Sequence, residues 1–149
     1  MSIFNSFDIN SSGMTAQRFR MDVIAENVAN ANTTRTADGT PYRRKVVTFE
    51  EKGHSEPFRH VLNKATNHYS GQGVRVGGVY EDTKTDLVRA YDPEHPDADE
   101  DGYVWYPNVS IITEMTNLID ASRAYEANAT AFNASKSIAS RGLEIGRSS

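Results

Sequence analysis

Two long amphipathic stretches lie at opposite ends of this chain, and a middle region punctuated by Gly and Pro separates them. The C-terminal stretch runs from about Pro107 to Ile145, with no Gly or further Pro before Gly142. A helix of about 38 residues would be roughly 57 Å long, whereas a compact domain of this chain length measures only about 38 Å across. We therefore expect this helix to carry apolar positions that packing within one chain does not cover, which favours assembly over catalysis.

Both stretches place apolar or small residues at alternating steps of four and three, the spacing of a coiled-coil seam. The seam is weak, because Ser122 and Lys136 interrupt it and because alanines bury little area. We predict an α+β fold in which the two helices pair as a coiled-coil-like hairpin around a β-rich middle insertion. The seam positions are Phe4, Phe7, Ser11, Met14, Arg18, Met21, Ala25 and Val28, then Ile111, Met115, Leu118, Ser122, Tyr125, Ala129, Phe132, Lys136, Ala139 and Leu143.

The sequence predicts three segments: an N-terminal helix over 1–32, a β-rich region over 33–106 and a C-terminal helix over 107–149. An N-cap for the first long helix is expected at Asn10, Ser11 or Ser12, with Phe4 and Phe7 on a preceding turn or on a continuous helix. Pro107 is expected near the first turn of the second helix. Strands are predicted at 42–49, at 71–82 with a bulge at Gly77–Gly78, at 87–91 and at 103–106, while 58–67 fits either loop or strand.

Composition excludes several classes of function. A net charge of -4 argues against a nucleic-acid partner, since proteins that bind phosphate backbones usually carry a basic surplus. The absence of cysteine rules out disulfides and thiolate metal sites. The first residues show no basic region followed by an apolar run, and no segment reaches the roughly 18 apolar residues of a membrane span. We expect no membrane insertion, and any export is expected to need no cleaved signal.

An acidic loop suggests calcium binding as an alternative function. Asp97, Asp99 and Asp101 precede Gly102 and match the first half of an EF-hand calcium loop. Asn108 occupies the position where such a loop needs a bidentate Glu, so a solvated acidic loop is favoured. A calcium-responsive protein-binding module using residues 97–101 remains the alternative function. No nucleophile, acid–base pair or histidine pair has a spacing typical of catalysis or metal binding, so no catalytic, cofactor or metal residue is predicted.

Asparagines recur in both helical stretches. Asn27 and Asn30 lie at the end of the first, and Asn128 and Asn133 lie in the middle of the second, where Asn has mediocre helix propensity. Two interpretations remain open at this point. These side chains lie on a solvated face, or their amides cross-link neighbouring helices and fix their register.

Two blocks of the sequence carry a family resemblance. ENVANANTTRTADGTPYRRK, residues 26–45, resembles the signature that follows the N-terminal helix in flagellar rod and hook-type axial proteins. The loop DPEHPDADEDGYV, residues 92–104, and the helix that follows it to residue 146 resemble a rod subunit of the same family. The resemblance implies a non-enzymatic structural subunit of the proximal rod. Such subunits assemble through their terminal helices into the tubular drive shaft that transmits torque and encloses the export channel.

The resemblance also implies partners and a location. The partners are other copies of the chain, rod proteins of the FlgB, FlgF and FlgG types, a FliE-type adaptor, the MS ring and the flagellar type III export apparatus. The location is the periplasmic rod of the basal body, without a cofactor and without a cleaved signal peptide. The assembly interface is predicted at Met14, Met21, Asn27, Val28, Asn30, Ile111, Met115, Leu118, Tyr125, Asn128, Phe132 and Leu143.

Overall fold

A computed structural model describes residues 3–53 and 71–147, with side chains described for 5–53 and 71–146. Within these described residues, two long helices flank four short strands in chain order, so the predicted α+β class is confirmed. The segment 58–67, predicted as loop or strand, lies outside the described residues. The elements are α1 (Ile3–Ala29), β1 (Lys45–Glu51), β2 (Val74–Glu81), β3 (Val88–Tyr91), β4 (Tyr103–Tyr106) and α2 (Ile111–Arg147).

Helix α1 is continuous from Ile3, which is the continuous-helix alternative, and the N-cap predicted at Asn10 to Ser12 is wrong. The Ser12 hydroxyl lies inside the helix and donates a 2.7 Å hydrogen bond to the Ile9 carbonyl. This back-bonding lets a serine sit in a helix without ending it. The same hydroxyl accepts a 3.1 Å bond from the Val74 backbone N–H, at the start of β2.

Helix α2 begins at Ile111 and runs for 37 residues. Pro107 lies ahead of the helix and is fully buried, so it does not supply the first turn as predicted. Ser110 is the N-cap. Its carbonyl accepts the first helical bond from the Glu114 N–H at 2.9 Å, and its hydroxyl accepts from the Thr113 N–H at 3.4 Å.

The four strands form two separate two-stranded sheets, β1 with β2 and β3 with β4. Strands β3 and β4 are antiparallel, with Val88 opposite Tyr106 and Tyr91 opposite Tyr103. In this register Ala90 and Val104 share one face, and Val104 is completely buried there. All four strands fall within the predicted strand regions to within a few residues.

The chain divides into two compact units, each built from parts of both helices. Unit 1 comprises Met1–Arg18, Phe49–Gly77 and Ser122–Ser149, and unit 2 comprises Phe19–Thr48 and Gly78–Ala121. In unit 1 the rings of Phe7 and Phe132 lie 5.0 Å apart between centroids. A Cβ atom added at Gly13 would lie 2.7 Å from Asn128 Oδ1, so the absence of a side chain permits this close helix packing.

Unit 2 has a core that is polar as well as apolar. Its apolar part includes Val23 and Ile24 of α1, Val104 of β4 and Ala121 of α2. Its polar part consists of three buried side chains, Asn27, Asn108 and Glu114. Buried polar groups are tolerated only when they are hydrogen-bonded, so this polar part requires a complete set of partners.

Candidate assembly site

A buried asparagine links α1 to the start of β1. Asn27 is completely buried, and its side-chain amide forms four hydrogen bonds. The Nδ2 atom donates to the Lys45 carbonyl at 2.8 Å and to Glu114 Oε2 at 3.0 Å. The Oδ1 atom accepts from the Lys45 N–H at 2.8 Å and from the Tyr42 hydroxyl at 2.9 Å. Both donors and both acceptor sites of the amide are therefore used.

Glu114 carries the only buried negative charge among the described residues. Its side chain is 1% exposed, and its Oε1 atom accepts from Arg44 Nε at 2.8 Å and from the second guanidinium nitrogen at 2.8 Å. Asn117 donates a longer bond of 3.4 Å to the same oxygen. Because a buried carboxylate is stable only with a cation and full hydrogen bonding, Arg44 is committed to this contact.

Asn108 ties the turn before α2 to the β-strands. Its Oδ1 atom accepts a 2.8 Å bond from the Arg44 backbone N–H. Its Nδ2 atom donates to the carbonyls of Asp82 and Thr85 at 2.9 and 3.0 Å. The residue that fails the calcium pattern thus has a structural role, since it satisfies backbone groups just beyond β1 and β2.

Tyr42 is the last member of this buried cluster, and both burial and nearby carboxylates change the pKa of its hydroxyl. Burial, and to a smaller extent the negative charges of Glu26, Glu81 and Glu114 in that order, raise the pKa of its hydroxyl from 10.0 to about 12. The hydroxyl therefore remains protonated at neutral pH and serves as a hydrogen-bond donor to Asn27. We call Asn27, Tyr42, Arg44, Asn108 and Glu114 the polar cluster.

The predicted assembly residues separate into two groups in the structure. One group is buried or half-buried within its own unit, and the other is exposed. Asn27 is completely buried, and its amide cross-links elements of one unit. The first group is Met14, Met21, Asn27, Val28, Asn30, Leu118, Asn128 and Phe132, and the exposed group is Ile111, Met115, Tyr125 and Leu143.

The buried face of α2 is displaced by one position from the seam expected at its start. Glu114 and Ala121, 1% and 0% exposed, are its most buried residues, whereas Ile111 and Met115 are 44% and 55% exposed. The periodicity assigned the charged Glu114 to solvent, and the ion pair with Arg44 brings it inside. Helix α2 is therefore rotated, and apolar residues face outward.

These outward residues form an exposed stripe at the start of α2. Ile112, Met115 and Ile119 are 81%, 55% and 53% exposed, and their spacing of three and four places them on one helix face. Ile111 flanks them. We call these four residues the apolar stripe. Ile112 and Ile119 are absent from the predicted interface, although their spacing with Met115 is the sequence signal that identifies them.

The acidic side chains of the 92–102 loop contact residues of the same chain. Asp97 accepts a 2.8 Å bond from the Thr34 hydroxyl and lies 3.6 Å from the Arg35 guanidinium. Asp99 accepts from the Tyr103 N–H at 2.8 Å and lies 3.8 Å from the Arg89 guanidinium. Within 3–53 and 71–147, no three His, Cys, Asp or Glu side chains are grouped to hold a metal ion. Nothing here supports the calcium-responsive alternative.

Neither helix, over its described residues, combines the length and apolar character that crossing a bilayer requires. Since α2 has exposed apolar residues and yet is rich in polar ones, its outward stripe is suited to contact with protein. The exposed residues of the stripe and the complete internal bonding of the polar cluster together favour a structural, assembling role.

Comparisons with known proteins match the N-terminal and C-terminal regions of the chain to known families. Residues 7–35 match the family described as "Flagella basal body rod protein", and residues 100–145 match "Flagellar basal body rod FlgEFG protein C-terminal". The protein "Flagellar basal-body rod protein FlgC" of Bacillus subtilis is 43% identical over 153 aligned residues, covering 99% of this chain and 100% of the relative. The protein of that name from Borreliella burgdorferi is 44% identical, covering 97% of this chain and 98% of the relative. That from Escherichia coli O6:H1 is 40% identical, with coverages of 99% and 100%.

Proposed function

This chain belongs to the FlgC family of flagellar basal-body rod proteins, and from that membership we propose how its helices and strands serve assembly. The protein is a structural subunit of the rod and belongs in the flagellar basal body, where it assembles with other rod and flagellar proteins. We infer that it has no enzymatic activity.

The proposed assembly mechanism uses the terminal helices. We propose that 1–32 and 107–149 form an inner axial domain and that 33–106 lies outside it. The observation that carries this proposal is the apolar stripe, because four large apolar side chains on one helix face remain exposed in the isolated chain. Burying them against a neighbouring subunit would remove apolar surface from water, at roughly 25 cal/mol per Å². The proposed interface consists of the exposed predicted residues Ile111, Met115, Tyr125 and Leu143, together with Ile112 and Ile119.

The finer partners are also proposed. They are other copies of the chain, rod proteins of the FlgB, FlgF and FlgG types, a FliE-type adaptor and the MS ring. We propose that the chain reaches the periplasmic rod through the type III export apparatus without cleavage of a signal peptide.

The polar cluster supports this mechanism because it sets the orientation of α2. The Glu114–Arg44 ion pair holds one face of the helix inward. Ile112 and Met115 are consequently held outward at fixed positions, so little conformational entropy is lost on assembly. The cluster is thus a positioning element for the proposed interface.

Replacement of Ile119 by Asp tests the proposal. A carboxylate at the centre of the stripe would be buried without a partner on assembly, which costs several kcal/mol. Cells carrying only Ile119→Asp should make the protein but lack rods and motility. The control is Ala131→Asp, an exposed position about 120° around α2 from Ile119. Motile Ile119→Asp cells with normal rods would contradict the proposed interface.

A further inference from the structure

Unit 2 contains an open cleft that the polar cluster and the apolar stripe do not use. Its volume is about 510 Å³, and it lies between α1 and the end of β2. Its apolar side chains include Phe19 and Val79, each 40% exposed, whereas the side chain of the next residue, Tyr80, points to the opposite face of β2. Such exposure of two large apolar side chains in one cleft is typical of a contact surface. The complete lining is Phe19, Asp22, Val23, Glu26, Lys45, Val79, Tyr80 and Glu81.

The rim of this cleft is acidic. Three carboxylates and one ammonium line it, and Lys45 already forms an ion pair with Glu26. Asp22 and Glu81 are both exposed at the rim. The raised pKa of Tyr42, to which the charges of Glu26 and Glu81 contribute, reports the same concentration of negative charge. The cleft is therefore suited to an apolar side chain that has a cation beside it.

The last turns of α2 present that combination. Ile138 is 66% exposed, and Arg141 is also exposed. Their spacing of three places them on the same helix face. Gly142 lies beside them, and a Cβ atom added there would meet nothing within 4 Å. A surface approaching this turn can thus come close to the helix backbone.

We propose that the cleft of Phe19 and Val79 receives the 138–142 turn of α2 from a second copy of this chain. Ile138 fills the apolar part, and Arg141 faces Asp22 and Glu81. The inference rests on the proposed function, because rod assembly is what brings a second copy to the cleft. Apolar fit and opposite charge distinguish this occupant from an acidic or purely polar segment.

The contact has a consequence for the form of the assembly. A cleft in one copy and a helix turn in the next are different surfaces, so the interface is heterologous. After one such contact, the first copy still has a free helix turn and the second still has a free cleft. Further copies can therefore add, and the array is an open helix when the rotation between copies does not close. The contact is therefore compatible with a tubular rod.

Cysteine cross-linking in basal bodies tests the contact directly. The chain has no cysteine, so introduced thiols report without background. In cells whose only copy is Val79→Cys/Ile138→Cys, oxidised basal bodies should yield a ladder of disulfide-linked chains on a non-reducing gel. A disulfide needs Cα atoms within about 7 Å, so the ladder reports proximity between copies. The matched control is Val79→Cys/Ala127→Cys, which should give at least about ten-fold less ladder.

Charge reversal separates docking from accidental proximity. In the Val79→Cys/Ile138→Cys chain, Arg141→Glu should reduce the ladder about ten-fold, and adding Asp22→Arg should restore it. Equal ladders in the test and control pairs, a disulfide within a single chain, or cross-links only to other proteins would each overturn the docking contact. If the chain is nevertheless present in those rods, the proposed function stands. Loss of the chain from rods in the unmodified strain would overturn the function itself.

Discussion

Asn27 of α1 donates a 3.0 Å hydrogen bond to Glu114 of α2, although the two residues lie 87 positions apart in the sequence. Both side chains are buried, at 0% and 1% exposure. A buried amide and a buried carboxylate are stable only in an arrangement that satisfies all their polar atoms. The pair therefore selects one register of the two helices within unit 2 and determines which face of α2 points outward.

Asn27→Ala should lower the free energy of unfolding by about 2–4 kcal/mol. The substitution leaves the Tyr42 hydroxyl, both backbone groups of Lys45 and one oxygen of Glu114 without a partner. Urea denaturation of the purified chain measures the change. Asn133→Ala, at an exposed position of α2, is the control and should change stability by less than about 0.5 kcal/mol. Equal effects from the two variants would show that the polar cluster does not stabilise the fold.

Glu114→Gln should destabilise the protein by about 3 kcal/mol, even though the amide has nearly the same shape as the carboxylate. The Arg44 guanidinium, whose side chain is only 26% exposed, would lose its counter-charge. Glu126→Gln, exposed on the same helix, should be close to neutral. Thermal and urea denaturation provide two measures. A wild-type midpoint for Glu114→Gln would show that the ion pair contributes little.

Two glycine substitutions in the helices should act in opposite directions. Gly13→Ala should destabilise by about 1–3 kcal/mol, because its Cβ atom would lie 2.7 Å from Asn128 Oδ1. Gly142→Ala should stabilise α2 by roughly 0.5–1 kcal/mol, because the position is open and alanine restricts the unfolded chain. Measured under one condition, the free energy of unfolding should be below the wild-type value for Gly13→Ala and above it for Gly142→Ala. Stabilisation by Gly13→Ala would contradict the close packing in unit 1.

Stability should fall as the pH rises from 10.0 towards about 12. The pKa of Tyr42 is near 10.0 in the unfolded chain and about 12 in the folded protein. Its contribution is therefore fully present below pH 10.0 and is lost as the pH approaches the folded value. The free energy of unfolding should depend less on pH in Tyr42→Phe over this range, whereas Tyr91→Phe, at a 67% exposed position, should retain the wild-type slope. Parallel slopes for wild type and Tyr42→Phe would assign the pH dependence to other groups.

The sequence predicts the elements of this fold better than their contacts. Hydrophobic periodicity and turn residues locate both helices and all four strands, because these signals are local. The start of α2 is less accurate, since Pro107 is compatible with a first helical turn and yet Ser110 provides the cap. The hydroxyl of Ser12 is likewise bonded within α1 and does not begin it.

The inward face of α2 depends on information that periodicity does not contain. A charged residue such as Glu114 is ordinarily assigned to solvent, and its burial requires Arg44 from a distant strand. The two interpretations of the asparagines separate for the same reason. Asn27 cross-links elements inside unit 2, while Asn133 is exposed. Only the tertiary partners decide between such cases, and local patterning leaves them open.

Cryo-electron microscopy of basal bodies from cells carrying this chain as their only subunit of its family tests the central claim most directly. We expect rod density that fits the sequence of α1 and α2, with Ile112, Met115 and Ile119 buried against a neighbouring subunit. The Asn27–Glu114 contact should be present in that density. A complete rod that contains no density for this chain, or one in which the apolar stripe faces solvent, would contradict the account.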